Sequence, residues 1–146
     1  VTTTLGGSYY NDPNNAGWAI LEADMSSPTS TGTSYDFLVV VNEFLIGQFP
    51  AVPRTTTLAA TDLSACNDCL YFSTGCQANG SSCVKDYLAQ AGSITVNTGT
   101  QSPDAGTFTG SLTNVRFDEW NFTTNTKVTN GQCVQVQSAT FNATWP

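Results

Sequence analysis

The chain has 146 residues, enough for one domain with a genuine core, and a formal net charge of −7. Four basic residues cannot neutralise a run of phosphates, which excludes a nucleic-acid partner and disfavours an anionic membrane surface. Histidine is absent, so the commonest general base and metal ligand are missing, and charged residues make up 10% against a usual ~25%.

Runs of Thr and Val lose side-chain freedom in a helix and fit a pleated sheet. Val1–Leu5 reads as an extended arm with Val1, Thr3 and Leu5 on one face, and Gly6–Gly7 as its hinge. Tyr9–Tyr10 lead into a turn at Asn11–Asn15. Trp18–Met25 sets Trp18 and Ile20 against Ala19, Leu21, Ala23 and Met25, the two-sided apolar pattern of an interior strand. A Ser/Thr/Pro/Gly loop covers Ser26–Ser34. Tyr35–Phe44 carries the strongest strand signal, with Phe37, Val39 and Val41 on one side. Thr55–Ala60 suits an edge strand and Leu70–Ser73 a short one. Val84, Tyr87, Leu88 and Ala91 share a helical spacing, which predicts a helical turn or two over Val84–Gln90. Ser93–Asn97 is a strand and Asn97–Gly106 a loop. Thr107–Asn114 alternates, and Val115–Phe122 continues it in shifted phase, which predicts a bulge. Asn130–Gly131 signals a hairpin before the last strand, Gln132–Trp145.

The expected class is all-β: an antiparallel β-sandwich, Ig-like or jelly-roll-like, of about eight or nine strands with at most one short helix. Residues 1–7 form the arm and residues 8–146 a single disulfide-stabilised domain. No apolar run approaches the ~18 residues of a membrane span, so membrane insertion is not expected. The chain opens on Val1, which reads as a mature, extracellular or cell-surface chain after signal-peptide removal.

Four of the five cysteines, Cys66, Cys69, Cys76 and Cys83, crowd the middle, and Cys133 stands apart. A tetrathiolate zinc site would use Cys66-x-x-Cys69 as one half, but a second such half is missing. Disulfides in an oxidising compartment are the stronger reading. One expected bond, Cys76–Cys83, closes a loop whose Asn79–Gly80 favours a turn. A second joins Cys66 or Cys69 to Cys133, and one thiol is left over.

Around this framework stand Arg54-Thr55-Thr56-Thr57-Leu58, Cys66-Asn67-Asp68-Cys69-Leu70, the stretch Cys83–Val96, and Gly106–Arg116 with its Gly-Thr-Phe-Thr-Gly-Ser-Leu-Thr-Asn core. Together these segments resemble the cysteine-framed secreted β-sandwich surface proteins and lipoproteins of the myxobacterial type. The resemblance implies a β-rich fold at the cell surface and carries no activity with it.

Catalytic chemistry finds little to work with. No histidine is present to activate a serine, and Asp118 and Glu119 are adjacent, so on a strand they point to opposite faces. The other acids are scattered, and no phosphate loop or dinucleotide fingerprint appears. An enzyme is not expected, nor a cofactor. Asn11-Asp12-Pro13-Asn14-Asn15 is oxygen-rich, but an Asx-turn explains it more simply than calcium. Tyr9, Tyr10, Trp18, Trp120 and Trp145 could stack on sugars, although aromatics of a β-domain more often fill its core. Asn79, Asn121 and Asn142 head glycosylation sequons.

The leading expectation is a structural subunit of an extracellular filament. Its arm adds a strand to the next copy, so the partners are copies of itself. The competing reading is a monomeric secreted module that binds glycans, with or without calcium.

Overall fold

The computed structural model describes residues 3–59 and 62–146. Among them nine strands form one antiparallel sheet that curls into a half-barrel, which realises the all-β class. The strands are β1 (Thr3–Asn11), β2 (Trp18–Pro28), β3 (Tyr35–Leu45), β4 (Arg54–Thr57), β5 (Asp68–Cys76), β6 (Lys85–Gly99), β7 (Gly106–Asn121), β8 (Thr126–Lys127) and β9 (Cys133–Trp145). The order across the sheet is β1-β2-β3-β5-β6-β7, with β9 and the short β8 on the far side of β7 and β4 beside the second half of β6. The only helical element among the described residues is a single 3₁₀ turn, Leu63–Ala65, whose first turn is capped by Asp62 accepting from the Ser64 N–H.

Alternation decides which face each strand buries. On β2, Ala19, Leu21, Ala23 and Met25 are buried, and on β3 Leu38, Val40 and Phe44. These meet Ile94 and Val96 of β6, Phe108, Leu112, Val115 and Phe117 of β7, and Phe141 and Ala143 of β9 in one core. Each fully buried Val, Leu, Ile, Phe or Met among them contributes roughly 1.5–3 kcal/mol, the alanines less. The other face of β3, carrying Val39 and Val41, packs in a small outer cluster with Ile20, Tyr71 and the Cys66–Cys69 pair.

The helical turns expected over Val84–Gln90 are not formed; β6 begins at Lys85 and pairs with both β5 and β7. The spacing of Tyr87, Leu88 and Ala91 misleads because this strand is irregular. Its register shifts on either side of Ala91, where Gly92 has φ +102°, so apolar residues do not keep a strict period of two. The phase change on β7 has the same origin. Asn114, with φ +50°, is the extra residue that sends both Leu112 and Val115 inward. β6 and β7 are longer than the sequence pattern shows, so the loop expected over Asn97–Gly106 shrinks to residues 100–105.

Candidate functional site

The N-terminal segment is the first candidate. Val1 lies outside the described residues. From Thr3 onward the chain is laid on its own sheet, with Thr3 opposite Ser26 and Thr4 opposite Met25. The register shifts between Thr4 and Gly6, which brackets Leu5. In place of a hinge, Gly6 and Gly7 lie inside β1, opposite Asp24 and Ala23. Gly7 is where β1 crosses β9. A Cβ placed there would sit 2.7 Å from the Ala143 Cβ and 2.8 Å from the Glu22 carbonyl oxygen. Glycine is needed for close approach at this point, not for freedom. Gly6, one residue earlier, faces open space.

β1 has a ladder partner on one side only, β2, and β9 likewise only β7, among the described residues. Natural edge strands are usually blunted by lysine, proline or inward charge. Neither the nine residues of β1 nor the thirteen of β9 include a charged residue or a proline. A register shift in β1 is the one blunting device present there.

The flanks of the two edges differ in charge. Beside β1, Glu22 and Asp24 lie two apart on β2 and therefore share its outer face. Tyr10 donates its hydroxyl to Glu22 Oε2 at 3.0 Å. Burial raises the carboxyl pKa of Glu22, and the neighbouring Asp24 adds to the rise; burial alone raises that of Asp24. The Tyr10 hydroxyl is pushed up by burial and by Glu22. Nearby, Tyr71 is pushed up to about 12 by burial, then by Glu22 and Glu43. A groove of about 530 Å³ runs here over Gly6, Ser8, Asp24 and Val39, walled by Phe37 and the loop at Ala78–Gly80. Beside β9, Arg116 and Lys127 both pair with the buried Asp118, at 3.1 and 2.6 Å, leaving two cations to one anion. The acids looked scattered in sequence, yet the i, i+2 spacing of Glu22 and Asp24 on a strand was the signal that they sit together.

The cysteines form two disulfides, Cys66–Cys69 and Cys76–Cys83, which fits a non-reducing environment. Cys133 is free and exposed. The bond expected from Cys66 or Cys69 to Cys133 is replaced by the local pair. Cys133 starts β9 opposite Asp118, whereas Cys69 sits in β5 opposite Val41, so the two ends are on different parts of the sheet. The Cys76–Cys83 bond closes the loop that carries Asn79, with Gly80 against the ring of Phe37.

All three sequon asparagines are exposed. Asn79 accepts from the Ser81 N–H and Asn121 from the N–H groups of Thr123 and Thr124, so both head tight turns. Asn142 is on an outward position of β9 opposite Thr109. Of the aromatics, Tyr9 packs on the core and Trp120 is buried with its N–H on Asn125. Trp145 is half-buried and donates to the Ser102 carbonyl. Tyr10 and Trp18 remain accessible. Asp12 accepts from the Asn14 N–H at 2.8 Å, the hydrogen bond of an Asx-turn.

Comparison with protein-family models, with curated proteins and with solved structures gives no match.

Proposed function

We propose that the protein is a structural subunit of an extracellular filament, in which the β1 edge of one copy adds to the β9 edge of the next. The observation that carries this reading is the pair of terminal strands of the sheet, each with a ladder partner on one side only among the described residues and both free of charged side chains, although β1 lies across its own β9 at Gly7. A contact between two different edges is heterologous and repeats, so it builds an open filament instead of a closed dimer. Backbone hydrogen bonds supply affinity, and alternate side chains supply register. The N-terminal segment still does the joining, as part of a strand that also belongs to its own sheet. The acidic flank of β1 and the basic flank of β9 favour this pairing over β1 with β1. Secretion fits the two disulfides, the low charge and the Thr- and Asn-rich surface.

The test is negative-stain microscopy with sedimentation of the purified chain. Wild type is expected to form filaments that lengthen with concentration. Gln137→Lys with Thr140→Lys, at exposed positions of β9, installs the lysines that normally guard an edge. This variant is expected to stay folded and monomeric. Discrete wild-type particles at every concentration, or filaments of the double variant, would sink the proposal.

A further inference from the structure

The outer face of the first three strands carries the groove of about 530 Å³, and edge addition leaves it free. Its floor is a row across the sheet: Asp24 of β2 lies opposite Gly6 of β1 on one side and Val39 of β3 on the other. Nothing lies within 4 Å of a Cβ added at Gly6, so no side chain covers the floor beside Asp24. Phe37 shares the outer face with Val39, two residues away, and stands diagonally from Asp24. The loop Ala78–Gly80 backs this ring, and a Cβ added at Gly80 would lie 3.7 Å from it. That loop is closed by the Cys76–Cys83 disulfide and by two backbone bonds, Gln77 N–H to the Ser81 carbonyl and Gly80 N–H to the Gln77 carbonyl. The wall therefore stands fixed before any ligand arrives.

Asp24 has no counter-charge. Its carboxylate accepts no hydrogen bond and pairs with no cation among the described residues. Burial raises its pKa. The chain has four basic side chains, and each is engaged elsewhere. Arg54 pairs with Asp68, which also accepts from Asn42; Lys85 pairs with Glu119, and Arg116 and Lys127 with Asp118. Glu22, two residues from Asp24 on the same face, adds a second negative charge and accepts from the Tyr10 hydroxyl. The groove volume falls within the ~300–1,000 Å³ of small-ligand pockets, and apolar walls around a few polar groups are their usual anatomy.

We infer that this groove binds a small organic cation, with its ammonium on the Asp24 carboxylate and its apolar body on Phe37 and Val39. Charge argues against the other ligand classes. An anion would meet Asp24 and Glu22 with no cation to receive it. A neutral apolar ligand would cover the Asp24 carboxylate and leave it with neither water nor partner. A calcium-like ion takes six or more oxygens, and no group of three or more His, Cys, Asp or Glu converges among the described residues. An organic ammonium brings donors to the carboxylate and carbon to the wall, and the face of an aromatic ring attracts its charge. A pocket of this volume suits a free amine better than a basic peptide, which needs a longer channel. The inference does not rest on filament assembly, because the ligand lies on the face of the sheet and not along its edge.

The test is calorimetric titration of the full chain with benzylamine, beside benzyl alcohol and benzoate, which keep the ring and change the charge. Benzylamine is expected to bind and the other two are not. Asp24→Asn keeps the shape and removes the charge, and is expected to weaken benzylamine about tenfold or more without lowering Tm, the scale of a charge-assisted hydrogen bond. Phe37→Leu removes the ring and is expected to weaken it about two- to fivefold. Gly6→Lys sets an ammonium directly opposite Asp24 and is expected to abolish binding in a folded chain. Absence of benzylamine binding overturns the inference, as does equal binding of benzyl alcohol or an affinity that neither Asp24→Asn nor Gly6→Lys changes. A tetralysine peptide that binds more tightly than benzylamine overturns it in favour of a basic partner chain. Each outcome reads the same whether or not the chain forms filaments.

Discussion

Substituting Gly6 and Gly7 separately asks whether the N-terminal segment is packed or free. If the Gly-Gly pair were a hinge, alanine at either site would stabilise the fold by roughly 0.4–1 kcal/mol, because it restricts the unfolded chain. The structure gives the two sites opposite signs. At Gly6 nothing lies within 4 Å of an added Cβ, so Gly6→Ala is expected to keep that gain. At Gly7 the added Cβ would lie 2.7 Å from the Ala143 Cβ, 2.8 Å from the Glu22 carbonyl oxygen and 3.2 Å from the Trp145 ring. Two of these three obstacles sit on paired strands and cannot rotate away. Overpacking of this kind costs about 1–3 kcal/mol. For a domain of this size each kcal/mol moves Tm by about 2–4 °C, so Gly7→Ala should melt roughly 2–12 °C lower. Calorimetric melting of the two variants beside wild type reads the difference directly. A Gly7→Ala protein as stable as Gly6→Ala would refute the crossing of β1 over β9 and restore the free arm.

Two further outcomes follow from the staples and the outer face. Opening the Cys76–Cys83 bond with a Cys76→Ser and Cys83→Ser pair releases a loop with a sequence separation of 7. By the chain-entropy relation this costs about 2.5 kcal/mol, seen as a lower urea midpoint; an unchanged midpoint would mean the bond closes nothing. Glu22→Gln removes a carboxylate that burial disfavours. The folded-state pKa lies above the unfolded one, so the native carboxyl favours folding while protonated, and that contribution is lost as pH rises through the folded pKa. The variant should therefore be more stable than wild type at neutral pH, by up to about 1 kcal/mol, the scale of partly solvated charge effects. The gain should vanish as acid protonates wild type, and a gain unchanged with pH would refute the cause.

The strands were legible wherever alternation was regular. Leu21 and Ala23 with Glu22 between them, or Phe141 and Ala143 between outward polar residues, announce both the strand and its inner face. Reading failed where a left-handed residue breaks the period. Gly92 in β6 left Tyr87, Leu88 and Ala91 looking helical, because a bulge and a helix both move apolar residues off a period of two. The shift at Asn114 was read correctly because the strand on each side of it is long enough to show both phases. Disulfide pairing was legible only for Cys76 and Cys83, whose loop holds a turn signal. The cluster of Asn42, Arg54 and Asp68 was not legible at all. The three residues are separated in sequence and meet because β3 pairs with β5 at Asn42 and Asp68 and the first residue of β4 reaches the same carboxylate. Glu22 and Asp24 were within reach of sequence reasoning, since two acids at i and i+2 of a strand must share a face.

The energetics of edge addition show which part of the proposed contact matters. The nine residues of β1 could make about eight backbone hydrogen bonds to a second edge, if antiparallel pairing gives close to one per residue. At a net 0.5–1.5 kcal/mol each, these contribute roughly 4–12 kcal/mol, against an association cost of about 4–15. Bonds alone therefore bring one contact near break-even. Charge cannot tip the balance by itself. From Arg116 on β7 to Glu22 on the β2 of the added copy there are three strand spacings, about 14 Å, beyond the Debye length of about 8 Å at physiological salt. The flanking charges bias approach and orientation only at low salt, and side-chain contacts along the joined edges must supply the surplus. A contact this finely balanced grows only where subunits are concentrated, and each added copy would be held more firmly once its second edge is also occupied.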